Sequence, residues 1–376
     1  MFAMTVDELY SVPYGDTVLL GQTDPDKYSC KLNDTIYDGY KNSFNISGFE
    51  MPCRLDCDDT DSNNSAEIMI SPDNQINNNY IDRLLTSEYN TAFLFCCDPL
   101  SYRQPDFDYE AEYNCCNDKY LFSFDGFVGG EQVALPEVRE IVCRLIYRGW
   151  MMKPTQYERL YKSLYKRGCP LVNTPTQYNY CHMLPDWYND LGDITPKSVW
   201  TNELTDTAII SLLGEFSNSP VVIKDFVKSR KHEWYEACYI PCAQDTDHAL
   251  DVIHTFLDRQ GSDLVGGLVI REYVSLASIG FHPKSGMPVS QEYRAFFLYG
   301  KLVCLINYWD GTPAEDEELV HFLTAASERI KSNFFSVDAA KTADGKYIVM
   351  EIGDGQVSGL QDYSEKKFYD SIFKII

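Results

Sequence analysis

The chain has 376 residues, 44% of them apolar and 14% aromatic, enough for two or three domains with real cores. Its formal net charge of −24 argues against a general nucleic-acid binder. The longest apolar runs fall well short of the ~18 residues a membrane helix needs, so no membrane span is expected.

The opening MFAMTVDELYSV has acids where a signal peptide has a basic region, and no long apolar core; no secretory signal is expected. Met1–Gly130 carries 23 acidic against seven basic residues, which reads as a solvated or partner-facing surface. Asn, Asp and Ser cluster at Asp56–Asn64 and Ser71–Asn79 as exposed loops, with short apolar runs such as Thr91–Cys97 between them. This region, 1–130, reads as a small α+β unit of its own. The thirteen cysteines form no regular framework. Cys53-x3-Cys57, Cys96-Cys97 and Cys115-Cys116 lack both the C-x2-C spacing and the histidines of a zinc site. Reduced thiols and a cytoplasmic location are expected.

From Glu140 the pattern sharpens. Glu140–Trp150 reads as a strand, and Tyr157, Leu160, Tyr161 and Leu164 have helical spacing, with Gly168 placed to stop that helix. Pro170–Asn173 is a short strand. Thr174-Pro175 then opens a helix expected to run to about Asp190. Ser219–Val227 is the next strand. Asp245 caps a helix with Leu250, Ile253 and Leu257 on its apolar face, ended by Gly261. Gly266–Val274 is a strand, and Gln291–Leu298 and Lys301–Tyr308 form a hairpin around Tyr299-Gly300. Thr312-Pro313 is expected to open a helix with Leu319, Leu323, Ala326 and Ile330 on one face. Asn333–Ala340 and Lys346–Ile352 are two strands joined at Asp344-Gly345, and Asp362–Lys374 closes the chain as a helix.

The last third is the most informative part. VVIKDFVKSRKHEW, GLVIREYV, QEYRAFFLYGKLV, FFSVDAAK and YIVMEIGDGQVSGL are apolar runs, each broken by one or two charges. Charge is costly inside a buried strand, so strands of this kind line a polar cleft. Cations first and carboxylates later suit a site that holds polyphosphate and Mg²⁺ together.

This ordered set resembles the ATP-grasp superfamily, in its divergent R-two-K clade, which includes the eukaryotic chaperone that assembles translation initiation factor two. The resemblance implies an α+β chain. An ATP-grasp domain of two α/β lobes with antiparallel sheets (191–376) would follow a small pre-ATP-grasp α/β lobe (131–190) and the acidic N-terminal region (1–130). It implies that Lys224 reaches the α- and β-phosphates, and that the loop after it places Lys228, Ser229, Lys231 and Trp234 near the triphosphate. It implies that Ile270, Arg271, Glu272, Tyr273 and Val274 form the hinge carrying adenine, and that Arg294 reaches the γ-phosphate or an acyl phosphate. Asp338 and Glu351 would hold Mg²⁺. The family pattern E-x-N becomes Glu351-Ile352-Gly353 here, and Asp354 is the candidate to supply the missing oxygen.

Each signal has a plainer reading. Lys224 suits an edge strand whose lysine reaches water. Arg271-Glu272 and Glu292-x-Arg294 suit cross-strand ion pairs, although forked bonds to phosphoryl oxygen favour phosphate contact for the two arginines. Asp225 follows Lys224 directly, so the K-x-D-G motif of lysyl-nucleotide chemistry is not met. The six histidines show no ligand spacing, and His232 is the one expected near the site. The resemblance implies an ATP- and Mg²⁺-dependent carboxylate–amine ligase working through an acyl phosphate, on a protein or peptide substrate. The alternative is an ATP-binding assembly chaperone without ligation.

Overall fold

A computed structural model of the chain describes five strands between residues 4 and 70, and residues 90–96, 109–123, 127, 143–165, 169–281 and 286–376. The chain divides into two compact units, Met1–Ser87 and Glu88–Ile376.

In the first unit, β1 (Met4–Ser11), β2 (Thr17–Thr23), β3 (Thr35–Tyr37), β4 (Ser43–Glu50) and β5 (Ser65–Ile70) form one antiparallel sheet in the order β1-β2-β5-β4-β3. The loops expected at 56–64 and 71–79 lie outside the described residues.

The second unit begins with β6 (Asn90–Cys96), α1 (Tyr109–Asn114), β7 (Lys119–Phe122) and β8 (Cys143–Arg148). The three strands pair in parallel in the order β7-β6-β8. Ala92 through Cys96 are all buried, as a parallel strand covered on both faces requires. Parallel neighbours need crossover connections, so 90–96 and 119–122 fold with 143–148. The lobe therefore starts about forty residues before the boundary expected at 130.

Helix α2 (Pro154–Tyr165) buries Tyr157, Leu160 and Leu164 as their spacing predicts; Gly168 lies outside the described residues. Thr174 caps α3 (Pro175–His182) in a full capping box with Gln177. The single helix expected to reach Asp190 breaks at Met183, and α4 (Leu184–Leu191) restarts with Pro185 in its first turn. Proline has no N–H to continue the i→i−4 ladder.

β9 (Ser198–Thr201), α5 (Asp206–Leu213), β10 (Val221–Asp225), α6 (Trp234–Ala237), β11 (Tyr239–Ile240), α7 (Thr246–Gln260) and β12 (Leu268–Glu272) follow. The strands form an antiparallel sheet, β11-β10-β12-β9. Ile209 and Leu213 of α5 and Val252, Ile253 and Phe256 of α7 cover its Ile223 and Ile270 face. Asp245 caps α7 as expected, but Ala249, Val252, Ile253 and Phe256 are its buried residues; Leu250 and Leu257 sit at the edge of the core.

A small hairpin, β13 (Ser278–Phe281) and β14 (Pro288–Ser290), leads into β15 (Glu292–Leu298) and β16 (Lys301–Asn307). Tyr299 and Gly300 turn this second hairpin with φ of 51° and 73°, the doubly left-handed turn that matches strand twist. Helix α8 (Glu317–Ser327) starts at Asp316, its N-cap, and not at Thr312-Pro313. That earlier segment is held extended by the Ile306–Pro313 bridge and the Asn307 N to Thr312 O bond. β17 (Phe334–Lys341) and β18 (Tyr347–Asp354) complete the antiparallel sheet β16-β15-β17-β18, and α9 (Glu365–Phe373) closes the chain.

Alternation along these strands positions the site. Ala295, Phe297, Val337 and Ile352 pack with Leu319, Leu323 and Ala326 of α8. Side chains one residue out of phase, Arg294, Asp338 and Glu351, point to the opposite face. There β18, the edge strand, meets the β10–β12 sheet.

Candidate functional site

Register brings three of the charged residues into one rung. Arg294 pairs with Asp338 across β15 and β17, and Asp338 pairs with Glu351 across β17 and β18. Cross-strand partners share a face, so all three side chains lie together. Arg294 grips Asp338 with two prongs, Nε to Oδ1 at 2.7 Å and Nη2 to Oδ2 at 2.8 Å, and its Nη1 donates to the Gly359 carbonyl at 3.0 Å. Burial alone would lower the Arg294 pKa; Asp338 outweighs it and raises it, so the guanidinium stays charged.

Lys224 arrives from the other sheet. Its ammonium donates to Glu351 Oε1 at 2.7 Å, with only 9% of its side chain exposed. Burial tends to raise the Glu351 carboxyl, but Lys224, Lys231 and Arg271 together hold it below the ordinary carboxylate range. The row Lys224–Glu351–Asp338–Arg294 thus runs across two sheets with a cation at each end and two adjacent carboxylates between them.

The loop after Lys224 is a tight turn built on Asp225, whose significance sequence reasoning missed. The fully buried Asp225 carboxylate accepts from Val227 N (2.7 Å), Lys228 N (2.5 Å), Gln260 Nε2 (2.9 Å) and Val265 N (3.3 Å). A bridge between Lys224 and Ser229 closes the turn. Lys228 is exposed and Ser229 half-buried.

On β12, Arg271 shares the Lys224 face and is 5% exposed. It donates to the Met350 carbonyl at 2.7 Å and to Thr195 Oγ1 at 2.6 Å, and its buried Nε has no hydrogen-bond partner. Burial pushes its pKa down to about 10, against the pull of Glu351 and Tyr188. A buried cation whose Nε has no partner is suited to receiving negative charge.

The sequence of residues 212–372 matches the family described as the ATP-grasp domain of the R-two-K clade, family 3. Residues 212–372 are an ATP-grasp domain of the R-two-K clade. Among solved structures, the chain is similar to D-cycloserine synthetase DcsG: 14% identity, TM-score 0.50, covering 76% of this chain and 99% of that one. It is also similar to a RimK domain ATP-grasp protein from Sphaerobacter thermophilus DSM 20745, at 14% identity, TM-score 0.47, and 76% and 100% coverage. A third is Cdc123 from Schizosaccharomyces pombe, at 17% identity, TM-score 0.32, and 48% and 85% coverage. The likeness to the synthetase is one of fold. No curated protein matches the chain.

The ATP-grasp domain departs from the expected site in four places. First, the hinge is not an open edge. β12 is an inner strand, and Ile270 and Arg271 pair with both β10 and β9. The amides of Glu272 and Tyr273 donate to Lys197 O and Pro220 O. The Ile270 side chain lies in the opposite core, and Glu272 is exposed. Val274 lies past the end of the pairing. Second, Trp234 stands at the hinge and not at the cation row. It stacks on Tyr239, centroids 5.2 Å apart, and Tyr239 meets Tyr273 edge-on at 5.1 Å.

Third, Asp354 does not share the face of Asp338 and Glu351. It lies three residues after Glu351, hence on the other side of β18, and is fully buried. Its oxygens accept from Asn173 Nδ2 at 2.6 Å, Gln356 N at 2.9 Å and Gln356 Nε2 at 3.1 Å, and burial raises its pKa to about 6. Gly353 does face as Glu351 does. A Cβ there would lie 2.9 Å from both Ser336 Oγ and Ser358 Oγ, which hydrogen-bond each other at 2.7 Å. That hydroxyl pair fills the space an asparagine would need. Fourth, His232 is exposed, and His182 is the buried histidine near the row. Its Nδ1 bonds the Tyr178 carbonyl at 2.8 Å and its Nε2 has no partner. Burial pushes its pKa down to about 4, with Glu351 and Lys228 acting in opposite senses.

Two further residues complete the cleft. The Tyr308 ring carries both the Arg294 guanidinium, at 4.9 Å, and the Lys231 ammonium, at 5.3 Å. Glu292, two residues before Arg294 and on its face, is raised by burial to about 7, with Lys231 opposing and Asp338 reinforcing the shift. Helical and strand periodicity flags none of Asp225, His182 or Tyr308, because each acts through a partner remote in sequence.

Asp338 and Glu351 are the residues that could hold a divalent cation. Among the described residues no group of three or more His, Cys, Asp or Glu forms a metal cluster. Two carboxylates in one rung fit Mg²⁺, which takes one or two carboxylates and completes its shell with phosphate oxygens and water.

Proposed function

We propose that the cleft binds ATP with Mg²⁺ and that the domain is an ADP-forming carboxylate–amine ligase acting on a protein or peptide. One observation carries this reading: Lys224, Glu351, Asp338 and Arg294 form a continuous row where two sheets meet, two neighbouring carboxylates flanked by a lysine and an arginine, with Lys231 beside it. Lys224 faces the α- and β-phosphates, and Arg294 the γ-phosphate. Lys228, Ser229 and Lys231 line the approach, and Arg271 adds positive potential from beneath. Val274, past the paired strand, meets the adenine edge, and the Trp234–Tyr239–Tyr273 group flanks it. Asp338 and Glu351 would hold Mg²⁺, which would supply neutralisation of the phosphate charge.

A substrate carboxylate oxygen attacks the γ-phosphorus. The new O–P bond forms as the bond to the β-phosphate oxygen breaks, giving an acyl phosphate and ADP. Arg294 and Lys224 stabilise the charge that shifts onto the leaving oxygens. An amine then attacks the acyl carbon, the C–N bond forms, phosphate leaves, and the nitrogen gives up a proton.

The test is nucleotide calorimetry together with ADP release in the presence of peptides and hydroxylamine, which traps an acyl phosphate as a hydroxamate. Lys224→Met and Arg294→Met each remove a charge and keep most of the bulk; each should lower affinity or turnover by about 10²-fold. Wild-type affinity and turnover in both variants would defeat the assignment. Tight ATP binding with no ADP and no hydroxamate would leave a binding protein in place of a ligase.

A further inference from the structure

We infer that the cleft takes nucleotide and divalent cation as a pair, through an exchange of ion-pair partners. The inference rests on the ATP–Mg²⁺ reading and adds how the two ligands depend on one another.

The two groups assigned to phosphate are closed on the two groups assigned to metal. Lys224 holds Glu351 at 2.7 Å, and Arg294 holds Asp338 at 2.7 and 2.8 Å. Three of the four side chains are well shielded: Lys224 is 9%, Arg294 13% and Asp338 16% exposed. An unpaired charge in such a place is costly.

Each ligand alone therefore breaks what it cannot mend. A triphosphate that draws Lys224 and Arg294 toward itself leaves Glu351 and Asp338 without partners. These two carboxylates are cross-strand neighbours, so they would repel each other and the phosphates. A divalent cation that draws both carboxylates leaves two shielded cations without partners. When both arrive, the carboxylates take the metal, the lysine and arginine take the phosphates, and every charge stays paired. Arg271 does not join the exchange, because it donates to the Met350 carbonyl and Thr195. Exposed Lys228 supplies attraction that needs no partner to be displaced.

Coupling of this kind is reciprocal. In the wild-type chain, saturating Mg²⁺ should tighten ATP binding by about 10²-fold, and saturating ATP should tighten Mn²⁺ binding by the same factor. Calorimetry reads the first and electron paramagnetic resonance of Mn²⁺ the second; neither needs turnover. Glu351→Gln gives the sharper result. It keeps the shape and frees Lys224, so ATP binding in a metal chelator should become about tenfold tighter than wild type while the gain from Mg²⁺ shrinks. The wild-type reciprocity stands on its own if that variant does not fold. Equal ATP affinity with and without Mg²⁺ in the wild type, or weaker metal-free binding in folded Glu351→Gln, overturns the exchange and leaves the ATP site intact. No ATP binding under any condition overturns both.

Discussion

Glu112 and Arg148 form a two-pronged ion pair sealed from solvent. Nε meets Oε2 at 2.8 Å and Nη2 meets Oε1 at 2.9 Å, with side chains 2% and 1% exposed. Tyr369 donates to the same carboxylate at 2.5 Å, and Arg148 Nη1 reaches the carbonyls of Gly355 and Ser358. The next residue, Gly359, accepts from Arg294. A residue of the acidic N-terminal third thus supports, at two removes, the arginine of the cleft.

A truncated chain starting at Glu88 should accordingly keep its fold and nucleotide binding, and one starting at residue 131 should not. Glu112→Gln should cost about 3–5 kcal/mol, because it leaves the Arg148 charge buried and unpaired. That corresponds to a fall in melting temperature of about 10 °C. Calorimetric melting of the full chain and the variant checks it. A change of a degree or two would show the pair to be energetically idle.

Glu292 should make the protein lose stability as the pH rises. Its carboxyl ionises near 4.5 when unfolded and at about 7 when folded. Between those values the folded state holds the proton that the unfolded state has released. The stabilisation is complete below pH 4.5 and gone above 7. Glu292→Gln should gain on the order of 2 kcal/mol over wild type on going from pH 5 to pH 8. Melts across that range give the slope, and parallel curves would disprove the shift.

His182 works in the opposite direction. It titrates at about 4 when folded, below its unfolded value of 6.5. Its contribution is present above 6.5 and lost as the pH falls through 4. Its ring lies 4.3 Å from that of Tyr178, so phenylalanine keeps the packing and removes the proton site. His182→Phe should flatten the acid limb of the stability curve. Direct NMR titration of the imidazole near 6.5 in the folded protein would contradict the burial argument.

Asp225→Ala should loosen the turn that presents Lys224. Four donors lose a buried acceptor, which should cost about 2–3 kcal/mol. Nucleotide affinity should fall by roughly tenfold as Lys224 loses its fixed position. Calorimetry of ATP binding in the folded variant decides; unchanged affinity would make Asp225 a stability residue alone.

Much of this was legible in the sequence. Alternation fixes which face of β15, β17 and β18 carries Arg294, Asp338 and Glu351, since successive strand side chains point to opposite sides. The Thr174 capping box and the Asp245 N-cap announce their helices through local hydrogen bonds. Alternation also separates Asp354 from Glu351, three positions apart; what it does not contain is the Asn173 and Gln356 donors that make Asp354 a core residue. Only the tertiary structure decided that Lys224 meets Glu351 across 127 positions of chain, that β12 is an inner strand with its amides already used, and that His182 and Tyr308 flank the row. Local propensity and periodicity are properties of neighbours along the chain. Partner choice depends on which sheets pack together, and that is set by the whole core.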